Sequence, residues 1–250
     1  MTKEAKILIA IAVAVIIGGV LLAIFANPQP KDPGAPVDTD SIVRDHNYMT
    51  GSLDAKVQMV EFADFQCPAC AAASPILKQL IAEYGENPEF NFVFKHFPLD
   101  SIHPLARISA EAAEAAGEQG KFWEMNDLLF ANQTSWTIGN NQLDTFVSNA
   151  QQIGVENIEQ FRQSVQIRQY NEIITADVKD GESLGVNSTP TIFINGEKME
   201  NYQYELLKSK IDELLNAETS TETPESEIPT DSMTVEAEPS TEPETQPEAN

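Results

Sequence analysis

The sequence predicts an α/β domain: a mixed central sheet flanked by helices, with an inserted all-helical subdomain. Three observations carry this. Short apolar or aromatic runs at 57–63, 90–95 and 191–194 have strand character. The stretch from about 100 to 186 shows helical periodicity and few strand signals. Asn195-Gly196 is a strong hairpin signal, because a tight two-residue turn needs positive φ. The expected order is strand, helix, strand, a block of helices, strand, turn, strand, helix. No internal repeat is visible.

From the N-terminus, residues 1–6 are expected to be a short cytoplasmic segment. Ile7 to Ala26 is an unbroken run without a polar side chain. At about 1.5 Å rise per residue, such a run spans the roughly 30 Å hydrocarbon layer. Lys3 and Lys6 precede it and the next base is Lys31, so everything beyond 26 is expected outside the cytoplasm. A cleaved signal peptide is the competing reading. Its apolar region is usually about 7–15 residues long with small residues before the cut. Here cleavage after Ala26 would leave Ile24 at −3, which favours an uncleaved anchor. Residues 27–40, with four prolines and a glycine, read as a linker, and 41–216 as the folded domain.

Within that domain Val57 to Ala63 suits a buried strand. Pro68 fits the first turn of a helix that runs to Tyr84 and stops at Gly85. Phe90 to Lys95 alternates and is rich in aromatics, a second strand. Four helices are expected next: Ala106–Ala116, Phe122–Phe130, Leu143–Gln152 and Ile158–Val178. Phe122, Trp123 and Trp136 read as their core aromatics. Thr191 to Ile194 is a strand, and Tyr202 to Leu215 a closing helix.

The net charge is −24. Residues 217–250 contain ten acids, five prolines and no Lys, Arg or aromatic residue. That segment has too little apolar surface to offset its ordering entropy, so it is expected to be a disordered acidic tail. The remaining 29 acids and 15 bases leave −14 for residues 1–216. A balance this acidic argues against a nucleic-acid partner, whose phosphates require a basic footprint.

The only two cysteines, Cys67 and Cys70, lie in Asp64-Phe65-Gln66-Cys67-Pro68-Ala69-Cys70. A disulfide here encloses two residues and constrains the unfolded chain little, so a structural staple is a poor reading. A zinc site needs three or four ligands. His46, His96 and His103 are the only histidines, and none forms a paired H-x₃₋₅-H arrangement, so no metal or other cofactor is expected. The third reading is a reactive pair. At a helix start, the Cys67 sulfur faces unpaired N–H groups and the positive end of the helix dipole, which favour thiolate. Cys70, one turn on, is placed to attack a mixed disulfide formed at Cys67.

These residues resemble the DsbA-like, membrane-anchored type of thioredoxin-fold disulfide oxidoreductase over roughly 41–216. VEFADFQCPAC places Glu61 six residues before the first cysteine, and Pro75 lies five after the second. FKHFPLDSIHPLA resembles the passage into the family's helical insertion, and GVNSTPTIFINGE its Gly-Val-x-x-Thr-Pro-Thr segment. The resemblance implies a thioredoxin fold, a cis Pro190 facing the cysteines, and a Thr189 backbone that pairs with an extended substrate peptide. It also implies that Glu61 is a buried proton relay serving Cys70. Asp64 is expected to be exposed, and His96 and His103 to be structural or surface residues.

The function expected is an extracytoplasmic oxidase that donates the Cys67–Cys70 disulfide to cysteine-containing secreted or surface proteins. The resemblance implies a quinone-linked membrane partner for reoxidation. The alternatives are a reductase or isomerase of the same fold, since Ala69 stands where the strongest oxidants carry histidine, or a non-enzymatic binding or chaperone module.

Overall fold

In a computed structural model, the structure describes residues 36–217. The apolar run 7–26, most of the 27–40 linker and the tail beyond Ala217 lie outside these residues. Among the described residues, no helix is long and apolar enough to cross a membrane.

Five strands, β1 (Tyr48–Met49), β2 (Val57–Ala63), β3 (Phe90–His96), β4 (Thr191–Ile194) and β5 (Glu197–Lys198), form one sheet in the order β1-β3-β2-β4-β5. β2 and β3 run parallel, from Val57 opposite Phe90 to Ala63 opposite His96. β4 returns antiparallel to β2, with Phe62 opposite Thr191 and Met59 opposite Ile194. The parallel pair is joined by α1 (Pro68–Tyr84), as a parallel connection requires. The helical insertion holds α2 (Ala106–Gly117), α3 (Phe122–Ala131), α4 (Gln133–Ile138), α5 (Gln142–Gln152), α6 (Ile158–Ile167) and α7 (Asn171–Ser183); α8 (Tyr204–Asn216) closes the domain.

This is the mixed sheet with an inserted helical block that the sequence predicts, with three differences. The expected helix at Ile158–Val178 is two helices, because Arg168 takes a left-handed conformation (φ 55°) that ends α6. α4 was not expected; it is one short turn around Trp136, whose indole N–H donates to the Leu129 carbonyl at 2.7 Å. β1 escapes notice because a two-residue edge strand has no periodicity to read. The folded chain is also docked earlier than Ser41. The Val37 N–H donates to the Gly196 carbonyl at 2.8 Å, and Thr39 is buried.

The sheet is covered on both faces, so every residue of β2 and β3 is buried. One core joins Val57, Met59, Phe92 and Phe94 to α1 and the insertion; the other joins Val60, Phe62 and Val93 to Phe97 and Val186. Gly181 of α7 allows the close approach on the second face: a Cβ there would lie 2.7 Å from the Phe97 ring. Gly85 ends α1 for a similar reason. Its φ of −64° is open to any residue, but a Cβ would sit 2.5 Å from the Ile81 carbonyl oxygen.

One buried carboxyl in the insertion works against stability. Glu111 is fully buried; one oxygen accepts from the Tyr170 N–H at 2.9 Å and the other has no partner. Burial pushes its pKa up, with the Tyr170 N–H and Arg168 pulling back only in part. A raised folded-state pKa means that stability is full below about pH 4.3, the ordinary carboxylate value, and falls as pH rises through the folded value. Glu111→Gln is therefore expected to stabilise the domain by about 1 kcal/mol at pH 7 and to change little at pH 4. Thermal unfolding at the two pH values checks this.

Candidate active site

β2 ends at Ala63, and the chain turns sharply over Asp64–Gln66 before α1 begins. Asp64 makes the turn. Its Oδ1 accepts from the Gln66 N–H at 2.7 Å, and its carbonyl accepts from the Cys67 N–H at 3.0 Å. The other carboxylate oxygen accepts from the Leu99 N–H at 2.9 Å and pairs with His103 Nδ1 at 2.7 Å. Asp64 is only 1% exposed, against the expectation of a solvent-facing residue. The reason is that its carboxylate has three partners, which compensates its removal from water. His103, half-buried, is thereby tied to the loop that leads into Cys67, while His96, which is buried, pairs with Glu114 at 2.8 Å.

Cys67 is the N-cap of α1 in extended conformation (φ −75°, ψ 122°), with Pro68 as the first helical residue. Cys67 is 6% exposed and Cys70 wholly buried; both are free thiols. The Cys67 sulfur lies 3.3 Å from the Thr189 carbonyl oxygen, to which its protonated form donates, across 122 residues of sequence. The Thr189–Pro190 bond is cis, and this segment leads directly into β4. A groove of about 370 Å³ opens beside it, lined by Ala69, Ser188, Thr189, Pro190, Met199 and Tyr202 among others.

The two thiols differ sharply in acidity. A hydrogen bond from Cys70 is the largest influence on Cys67; burial opposes it, and the Thr189 side chain and the N–H groups of Ala69 and Cys70 add to it. The Thr189 hydroxyl has no hydrogen bond of normal geometry, so its part is the smaller one. Together they bring Cys67 down to about 5. Burial drives Cys70 far above the ordinary thiol value, and its bond to Cys67 and the nearby Glu61 push the same way. Glu61 is 3% exposed, on β2 between Phe94 and Ile192. Burial raises it to about 8, the charge of Cys67 adding to the effect, and its Oε1 has no hydrogen-bond partner.

The fold thus brings Cys67, Cys70, Glu61, Thr189 and Pro190 to one end of the sheet. Sequence reasoning missed two neighbours. Asp64 carried a local signal, since an aspartate two residues ahead of a free N–H favours an Asx turn. Gln133 of α4 carried none: its amide donates to the carbonyls of Phe65 and Cys67 at 2.8 and 2.9 Å, a contact between segments 66 or more residues apart. Among the described residues, no cluster of three or more His, Cys, Asp or Glu side chains is arranged to hold a metal ion.

Comparison with known proteins agrees with this geometry. A family model described as thioredoxin matches residues 44–213. A Na(+)/H(+) antiporter NhaA 1 of Salinispora arenicola is 36% identical over 177 residues, which is 70% of this chain and 25% of that protein. The chain therefore spans about a quarter of the curated relatives it matches. Among solved structures, alpha-DsbA1 of Wolbachia pipientis superposes with a TM-score of 0.61 at 20% identity, covering 71% of this chain and 96% of that one. MdbA of Corynebacterium diphtheriae, a thiol-disulfide oxidoreductase, gives 0.57 at 19% identity, covering 74% and 95%. Identities this low speak to fold alone. The matched region, sheet order and helical insertion together establish that the chain belongs to the thioredoxin family and has its DsbA-like fold.

Proposed function

We propose that this protein is a thiol–disulfide oxidoreductase acting outside the cytoplasm, with Cys67 as nucleophile and Cys70 as resolving thiol. The observation that carries the reading is the asymmetry between the sulfurs: one at the helix N-terminus, slightly exposed and acidic, the other wholly enclosed and far less acidic than an ordinary thiol. In the oxidising direction, a substrate thiolate attacks Cys67 of the Cys67–Cys70 disulfide. The enzyme S–S bond breaks, a mixed disulfide forms, and Cys70 leaves as a thiolate that takes a proton from Glu61. A second substrate thiolate then attacks the substrate sulfur and expels Cys67. The substrate leaves oxidised by two electrons and the enzyme holds them as a dithiol.

An acidic Cys67 is a good leaving group, so the reduced enzyme is the favoured product. The carbonyl of Thr189, beside Pro190 and the groove, is the edge against which an extended cysteine-bearing peptide would pair. Residues 7–26 would hold the domain at the membrane through the 27–40 linker, close to a membrane-embedded, quinone-linked oxidase that restores the disulfide. The 217–250 tail would be a solvated spacer. A reductase or isomerase uses the same residues and differs in potential; a binding or chaperone module would use the groove without turnover.

Equilibration of the protein with glutathione buffers tests the direction. The acidic Cys67 predicts a potential nearer the oxidising DsbA value of about −120 mV than the thioredoxin value of about −270 mV. A value at the thioredoxin end would overturn the oxidase assignment and favour the reductase.

A further inference from the structure

Gln133 belongs to the helical insertion, yet its side chain closes on the reactive loop. It is half-buried, and its single amide nitrogen spends both N–H bonds there, one on the Phe65 carbonyl at 2.8 Å and one on the Cys67 carbonyl at 2.9 Å. The opposite side of the loop is held by the segment entering the insertion. Asp64 takes the Leu99 N–H, and Gln66 Oε1 takes the Leu105 N–H at 2.7 Å. The loop is thus clamped from two directions, and Gln133 is the clamp that touches Cys67 itself.

We propose that Gln133 is a positioning residue for the Cys67 thiolate, through which the helical insertion sets the redox poise of the pair. The argument runs through the peptide planes. Pro68 has no N–H, so the first backbone donors that can face the sulfur are those of Ala69 and Cys70. The Ala69 N–H shares its plane with the Pro68 carbonyl, and the fixed φ of the Pro68 ring couples that plane to the Cys67–Pro68 peptide, whose carbonyl is the Cys67 carbonyl. That oxygen takes the first helical bond, from the Ala71 N–H at 3.1 Å, and the Gln133 amide completes its pairing. The Phe65 carbonyl is fixed by the same amide. Without Gln133, the Phe65 carbonyl loses this partner and the Cys67 carbonyl is held by the Ala71 N–H alone, so both dipoles are less fixed and the donor cradle loosens.

This rests on the reading of Cys67 as the reacting thiol, and the test keeps the two apart. The pKa of Cys67 is read from thiolate absorbance, and the poise from equilibration with glutathione. Gln133→Leu removes both donors without adding charge. It is expected to raise the Cys67 pKa by about one unit and to lower the oxidising equilibrium constant about tenfold, which is about 30 mV. Gln133→Asn, one methylene shorter, is expected to move both readings the same way, and it serves if the leucine variant folds poorly. Gln133→Lys keeps a donor for both carbonyls and is expected to hold Cys67 at or below its original acidity. If the leucine and asparagine variants lower the melting temperature but leave the titration and the glutathione equilibrium where they were, Gln133 is a packing residue and the proposal fails. A wild-type Cys67 titrating near the ordinary 8.5 would instead sink the assignment of Cys67 as the reactive thiol.

Discussion

Cys67→Ser is expected to remove measurable disulfide transfer to a dithiol peptide, whereas Cys70→Ser is expected to keep the first attack and stall at mixed disulfides. The asymmetry follows from access and acidity. Cys67 lies 6% exposed at the helix N-terminus, where under the proposed mechanism an incoming sulfur would reach it beside the Thr189–Pro190 segment; Cys70 is enclosed. With a pKa of about 5, Cys67 is about 99% thiolate at pH 7, while an ordinary cysteine is ionised by only a few per cent. Serine at Cys67 offers no such anion and cannot form the disulfide. Serine at Cys70 leaves Cys67 able to bond a partner sulfur but removes the thiol that would release it. Quenched peptide oxidation, followed by non-reducing electrophoresis, measures both effects. Iodoacetamide trapping against pH should show a midpoint near 5 in the wild type. The idea fails if the Cys67→Ser protein still oxidises the peptide, or if the trapping midpoint lies near 8.5.

The largest expected effect on stability comes from Lys95→Met. Lys95 lies on β3, in the middle of the domain, and its ammonium is wholly buried. It donates to the Ile42 carbonyl at 2.6 Å and to Asn47 at 3.2 Å, and it pairs with Asp177 at 2.9 Å and Asp180 at 2.8 Å. Arg44 and His46 approach the same carboxylates from the solvent side. Methionine fits the space but leaves two buried carboxylates facing each other. Breaking a buried pair from one side costs about 3–5 kcal/mol, and in a domain of this size that lowers the melting temperature by roughly 10 °C or more. The loss should worsen toward neutral pH and ease in acid, where the stranded carboxylates take up protons. In the wild type, burial pushes Asp177 upward, but His46, Lys95, His96 and Asn47 outweigh it and hold it at about 2. Its stabilising contribution is therefore complete above the ordinary carboxylate value, near 3.9, and is lost as pH falls toward 2. Replacing Asp177 and Asp180 by Asn in the Lys95→Met background should recover much of the loss. If Lys95→Met melts within 1–2 °C of the wild type across pH 3 to 7, the cluster is not the anchor described.

Much of this molecule is legible from short stretches of sequence. The buried strand before the cysteines, the helix opened by Pro68, and the Asn195-Gly196 turn are all set by local propensity and backbone freedom. So is the candidacy of Cys67 and Cys70 as a reactive pair, because two cysteines enclosing two residues leave few other uses. What local pattern could not supply was the destination of polar side chains. In β3 the alternation of aromatic and polar residues reads as one face inward and one outward, but both faces are covered, and Asn91 and Lys95 are buried against Gln58 and the two aspartates. Asp64 looked solvent-facing until Leu99 and His103 folded over it.

The sequence alone determined most of the elements, their order and the candidate pair of sulfurs, since these depend on residues a few positions apart. The tertiary structure decided which sulfur is acidic and what holds it so. The Thr189 side chain acts on Cys67 from 122 residues away, and Cys70 and Glu61 are buried beside it, only because the sheet order and the insertion carry remote segments to one point. Electrostatic and hydrogen-bond effects fall off over a few ångströms in space, whatever the separation along the chain.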